Sequence, residues 1–230
     1  MASHMISIFK PRHLLCLALL MGHGLAFAQT SQFEGFSLRA GFGSISQNIF
    51  KANMVYLANP NVPVSSPSAD VNATVLILGA GYTKALDDRF TLGLEFNMSA
   101  HDSKAIHSIN YLGPTSFGVN MWNTNQFTLS LAPGYLLTPD TLLYSKIGTL
   151  RITTMCANDI GSACASNHLP GINFGLGVRQ MIKDSNTYFY IESNKNQLFS
   201  ASLTTLSNPV SYTLNASSIN FIFGLGRHFH

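Results

Sequence analysis

From Phe90 to Ser99 the chain alternates without a slip, with Phe90, Leu92, Leu94, Phe96 and Met98 set against Thr91, Gly93, Glu95, Asn97 and Ser99. A β-strand sends successive side chains to opposite faces, so one face of this strand is wholly apolar and the other small or polar. The polar face is nearly free of the Lys and Glu that a water-facing strand carries. Repeated along the chain, this pattern predicts a barrel with lipid outside and a confined polar interior.

The N-terminus is expected to lie outside that fold. Met1-Ala2-Ser3-His4 has the character of a cloning scar, which makes Met5 the natural start. Lys10 and Arg12, the apolar run from Leu14 to Leu20, and Ala26-Phe27-Ala28 follow in the order of a secretory signal with an A-x-A cleavage site. Residues 1–28 are therefore expected to be removed and 29–230 to form one barrel domain. Loss of Lys10 and Arg12 leaves 11 basic and 10 acidic residues of the original 13 and 10. Such a balance gives no electrostatic case for nucleic acid. Only 10% of residues are charged, against about 25% in ordinary soluble domains. No segment beyond the signal approaches the ~20 apolar residues of a spanning helix. Export, few charges and no spanning helix converge on an outer-membrane β-barrel of a Gram-negative bacterium.

Eight segments carry the dyad pattern, near 33–44, 74–84, 90–99, 120–136, 141–153, 171–182, 187–195 and 213–229. Pro133 lacks a ladder donor, so a bulge is expected there. Turn-forming residues close three short links, at Leu86-Asp87-Asp88, Thr138-Pro139-Asp140 and Lys183-Asp184-Ser185-Asn186. The other four links are long, near 45–72, 101–119, 154–170 and 196–212. Short and long links alternate, which predicts an eight-stranded antiparallel up-and-down transmembrane barrel with short periplasmic turns and long extracellular loops. A soluble lipocalin-like barrel would instead carry Lys, Glu and Asp on its polar face. In an oxidising compartment Cys156 and Cys164, the even pair left after Cys16 is removed, are expected to form a loop disulfide worth about 2–3 kcal/mol. No metal or cofactor is expected, since there is no CxxC spacing and His168 makes a poor third ligand.

Four strand charges point inward in these registers: Arg39, Glu95, Lys146 and Glu192. They lie five or six residues above the periplasmic strand ends, and at a rise of ~3.3 Å per residue they fall in one layer. Arg179 enters lower, within reach of the same network. Each charge would cost several kcal/mol if buried alone, so the layer is expected to be mutually neutralising. It serves either as a plug that holds the barrel shut or as the gate of a narrow channel for small or hydrophobic solutes.

The closing segment, Gly224-Leu225-Gly226-Arg227-His228-Phe229, resembles the terminal Gly-x-Gly-x-x-Phe strand of small outer-membrane barrels of the OmpA/OmpX type. The resemblance implies recognition of Phe229, with Phe223 and Leu225 on the same face, by the barrel-assembly machinery. Two departures stand out: His230 follows the aromatic, and Arg227 occupies a position that is commonly apolar or aromatic. Outer-membrane lipid and lipopolysaccharide are the expected surroundings, and the loops are expected to meet an extracellular ligand or host surface. Some such barrels modify lipid A. In the deacylase family a His stands two positions before a Ser-Asn pair, whereas Ile191 stands there before Ser193-Asn194. His101, Asp102 and Ser103 match a triad in composition only. The chain is thus expected not to be an enzyme.

Overall fold

The computed structural model describes residues 32–56, 59, 61, 64–65, 69–101, 106–112, 115–158, 167–199, 201–204 and 210–229. Among these, eleven strands run β1 (Gly35–Tyr56), β2 (Val64–Ser65), β3 (Ala69–Ala85), β4 (Phe90–His101), β5 (Ile106–Leu112), β6 (Thr115–Thr138), β7 (Thr141–Asn158), β8 (Asn167–Met181), β9 (Thr187–Leu198), β10 (Ala201–Thr204) and β11 (Val210–Phe229). Eight of them close a ring of antiparallel pairs, β1-β3-β4-β6-β7-β8-β9-β11 and back to β1. Successive long strands are neighbours, so the chain goes up and down, and closure leaves none of these eight as an edge strand. The short strands β2, β5 and β10 pair at one end only, with β5, β6 and β11.

The alternation is turned inside out relative to a soluble protein. Phe36, Leu38, Phe42, Leu94, Phe96, Leu129, Leu176, Phe221 and Leu225 are exposed, while Ser37, Arg39, Glu95, Asn97, Thr128, Asn173, Asn194 and Asn220 are buried. Along β11 the apolar face runs from Phe229 to Ile219 with Arg227 interrupting it. Those ten steps span ~33 Å of strand, and a tilt of ~40° projects them to ~25 Å, the height of an outer-membrane apolar band. Aromatic pairs Phe36–Phe229 and Phe90–Tyr135, with ring centres 6.2 and 5.2 Å apart, gird the end that carries the short turns.

Three expectations need correction. Strands extend well into the segments expected to be loops, as in β1 to Tyr56 and β6 from Thr115. Beyond Phe42 the outward residues of β1 turn polar, with Ser44 and Ser46 opposite Phe221 and Ile219 of β11 and Asn48 opposite Ser217. Hydrophobic periodicity therefore falls silent on β1 while the backbone ladder continues. No bulge forms at Pro133. The β6–β7 register is unchanged from Leu131↔Ile147 to Gly134↔Tyr144, and the shifts fall at Asn123/Gln126 and Leu136/Thr138. Proline removes a donor without inserting a residue, so the ladder loses a bond but keeps its register.

Nor is the lumen polar throughout. Phe33, Leu136, Leu142, Met181 and Tyr188 pack below the charged layer, and His228 lies against the Phe33 and Tyr188 rings. Ile45, Val75, Leu150, Ile152, Leu169 and Leu198 are buried higher up. An eight-stranded barrel is just wide enough to be filled by side chains, and apolar ones fill it without needing partners. Residues 1–31 and Cys164 lie outside the described residues, and with them the signal segment and the Cys156–Cys164 bridge.

Candidate functional site

Five strands each deliver one charge to the middle of the lumen: Arg39 from β1, Glu95 from β4, Lys146 from β7, Arg179 from β8 and Glu192 from β9. Each is 2–7% exposed. Period-two geometry explains the delivery, because every one sits on the inward parity of its strand. Space for them comes from inward glycines. A Cβ at Gly177, for example, would stand 2.5 Å from the Tyr144 ring, so only glycine lets that ring lie flat against the wall.

The carboxylates act as two shared hubs. Glu95 Oε2 lies 2.8 Å from Arg39 Nη2 and 2.9 Å from Lys146 Nζ, and its other oxygen pairs with Arg179 Nη2. Glu192 Oε2 accepts from Arg39 Nη1 at 3.0 Å, Lys146 Nζ at 2.9 Å and the Tyr144 hydroxyl at 2.8 Å. Its Oε1 accepts from Lys146 Nζ at 3.0 Å and Asn194 Nδ2 at 2.7 Å. Arg39 also donates to Asn97 Oδ1 through Nε at 2.9 Å and Nη2 at 2.6 Å.

Three cations face two carboxylates, so the layer carries a surplus positive charge. Tyrosine rings meet it. The Arg179 guanidinium carbon is 4.4 Å from the Tyr144 ring centre and 5.3 Å from that of Tyr188, and Arg39 is 5.1 Å from Tyr190. Their negative faces favour a desolvated cation.

Asn97, Tyr144, Tyr188, Tyr190 and Asn194 were not singled out as network members from the sequence. Four of them stand two positions from a charge, at Glu95, Lys146 or Glu192, so the parity that places the charge also places them. Above the layer is a cavity of about 20 Å³, lined by Ser99, Gln126, Thr128, Asn173 and Asn220 with Lys146 and Glu192. It has room for about one water. An amide chain continues upward from it, with Asn173 Nδ2 donating to Asn196 Oδ1 at 2.6 Å and Asn196 Nδ2 to Ser218 Oγ at 3.0 Å.

The remaining sequence candidates fall elsewhere. Ser193 and Ile191 face outward while Asn194 faces in. His101 ends β4 opposite Val75, and Asp102 and Ser103 lie outside the described residues. His168 Nδ1 is 3.1 Å from the Thr153 hydroxyl. Among the described residues no cluster of three metal-ligating side chains occurs. Phe223, Leu225 and Phe229 stand on the outward face of β11, and Phe223 and Phe229 pack on Phe42 and Phe36 of β1.

No family profile matches this sequence, and no curated protein does. Solved structures do match, and the first of them shares the fold. The outer membrane protein OprG from Pseudomonas aeruginosa is matched over 86% of this chain and 99% of its own, with 16% identity and a TM-score of 0.59. The outer membrane protease OmpT from Escherichia coli is matched over 86% and 97%, with 11% identity and a TM-score of 0.47. Ail, the attachment invasion locus protein of Yersinia pestis, is matched over 85% and 99%, with 12% identity and a TM-score of 0.44. The chain is an eight-stranded antiparallel barrel of the outer-membrane kind.

Proposed function

We propose that the protein resides in the outer membrane of a Gram-negative bacterium as a closed barrel, and that it acts through what its extracellular end presents. The observation that carries this reading is the pairing of an apolar exterior with a lumen shut by Arg39, Glu95, Lys146, Arg179 and Glu192. Only hydrocarbon outside makes the exposed ring of Phe, Leu and Ile stable. A lumen filled at the level of these charges leaves the strands above it as the part with work to do. The likeness in fold to OprG, an outer membrane protein, supports the location.

Loops grafted on a rigid barrel suit recognition of a ligand or host surface. Replacing the β1–β3, β5–β6, β7–β8 and β10–β11 connections one at a time is expected to abolish surface binding for at least one replacement while the barrel still folds. Retention of binding by all four would sink the adhesive reading. A second reading, a narrow channel, is favoured by the sharing of Glu95 Oε2 between Arg39 and Lys146, because a shared oxygen allows partners to exchange. Planar-bilayer recording separates the two. A shut plug gives no steady conductance from the native barrel, and Glu95→Gln or Glu192→Gln opens one; steady current through the native protein selects the channel.

A further inference from the structure

Arg227 breaks the apolar outward face of β11. It is exposed between Leu225 and Phe229, with its guanidinium carbon 5.8 Å from the Phe229 ring centre. Its ladder partners are Leu38 on β1 and Thr187 on β9. Among the described residues the charge has no ion-pair partner, unlike Arg39 and Arg179 in the lumen. A bare cation is costly in hydrocarbon and is stable where its long stem reaches headgroup level.

Arg227 also lines a groove in the barrel wall. The groove holds about 590 Å³ and is bounded by Leu38, Ala40, Leu78, Thr187, Leu225 and Arg227. Its floor is low because Ala40 offers only a methyl group between its partners Leu78 and Leu225. Walls of leucine therefore end, toward the short turns, at one guanidinium and one hydroxyl.

Resting on the membrane reading above, we infer that this groove binds one glycerophospholipid of the periplasmic leaflet. An acyl chain lies over Ala40 between Leu38, Leu78 and Leu225, and the phosphate accepts from Arg227 and Thr187. A planar guanidinium offers two parallel N–H donors to a phosphate, which an ammonium does not. The charge complementarity at the groove mouth selects a phospholipid over a neutral lipid.

The test is native mass spectrometry of the folded barrel, released from a neutral detergent after addition of palmitoyl-oleoyl phosphatidylglycerol or of dioleoylglycerol. One phosphatidylglycerol per barrel is expected to be retained, and no dioleoylglycerol. Arg227→Leu is expected to lower retention by about tenfold or more, the loss that follows removal of a charge-assisted hydrogen bond. Arg151→Gln, at an exposed arginine toward the opposite end, is expected to leave it unchanged. Ala40→Phe fills the groove without touching the charge and is expected to abolish retention, so it decides the matter if Arg227→Leu fails to fold.

Equal retention by folded Arg227→Leu and the native barrel overturns the inference, as does equal retention of dioleoylglycerol. A lipid-free dimer would assign the groove to a second copy instead. A barrel that inserts into vesicles but keeps no phospholipid overturns the inference and leaves the membrane reading standing; one that stays dissolved without detergent removes both.

Discussion

At the scale of the residue, Glu95 is the most heavily shared member of the lumen network, because three cations converge on its two oxygens. In Glu95→Gln three cations face Glu192 alone. Removing one partner of a buried ion pair costs ~3–5 kcal/mol, since the other charge stays desolvated. Urea unfolding of the barrel in lipid vesicles is expected to show a loss of that order, and matching midpoints would remove the network from the account of stability. Lys146→Met leaves two arginines and two carboxylates in balance. Its loss is expected to be smaller than that of Glu95→Gln in the same measurement. The inward direction of these charges was legible, since parity within a strand is local. Which oxygen meets which nitrogen was not, because Arg39, Glu95, Lys146, Arg179 and Glu192 come from five strands.

The turns carry the element-scale argument. Between β3 and β4, Asp87 Oδ1 accepts from the backbone N–H groups of Arg89 and Phe90, both at 2.7 Å. Those two bonds hold its carboxyl below the ordinary carboxylate value. A depressed folded value means the stabilisation is present above the unfolded pKa of ~3.9 and is lost as pH falls through the folded value. Asp87→Ala is therefore expected to melt below the native barrel at pH 7. That gap is expected to close in acid well below the unfolded pKa, and a gap that persists there would assign the loss to something other than the ionised carboxylate. Between β8 and β9, Asp184 takes φ 59°, a left-handed conformation that Asp tolerates. Both turns were visible in the sequence as short polar runs between apolar segments. The continuation of β1 beyond Phe42 was not visible, because Ser44, Ser46 and Asn48 take its outward positions and break the apolar alternation that marks a strand.

For the whole molecule, closure is the decisive event, and its seam is β1 against β11. The register runs from Phe36↔Phe229 to Tyr56↔Val210, with one irregularity between Ala52 and Val55. Phe229 packs on Phe36 across that seam, and from the resemblance of the closing segment to that of small outer-membrane barrels we propose that the assembly machinery reads the same aromatic. The seam contact and the proposed assembly role separate experimentally. If the assembly role dominates, Phe229→Ala lowers the yield of heat-modifiable, folded barrel in cells while purified protein refolds in detergent with a near-native midpoint. A large loss in both would make Phe229 a seam residue alone. Arg179 shows what closure adds. Counted from its strand end it enters below the other charges, yet it meets Glu95 across the lumen, because tilt and stagger around a barrel offset residues of equal count.

The alternation from Phe90 to Ser99, repeated along the chain, was enough to determine an inside-out barrel, the number of its strands, the placement of its tight turns and the inward parity of its charges. All of these follow from a period of two and from which residues tolerate which solvent, properties that a strand carries by itself. Tertiary structure alone decided that three cations share two carboxylates, that tyrosines face the surplus charge, that apolar layers pack above and below, and that Ala40 leaves a groove ending at Arg227. Those outcomes depend on distances between strands far apart in sequence, and closure of the sheet fixes such distances only when every register is set at once.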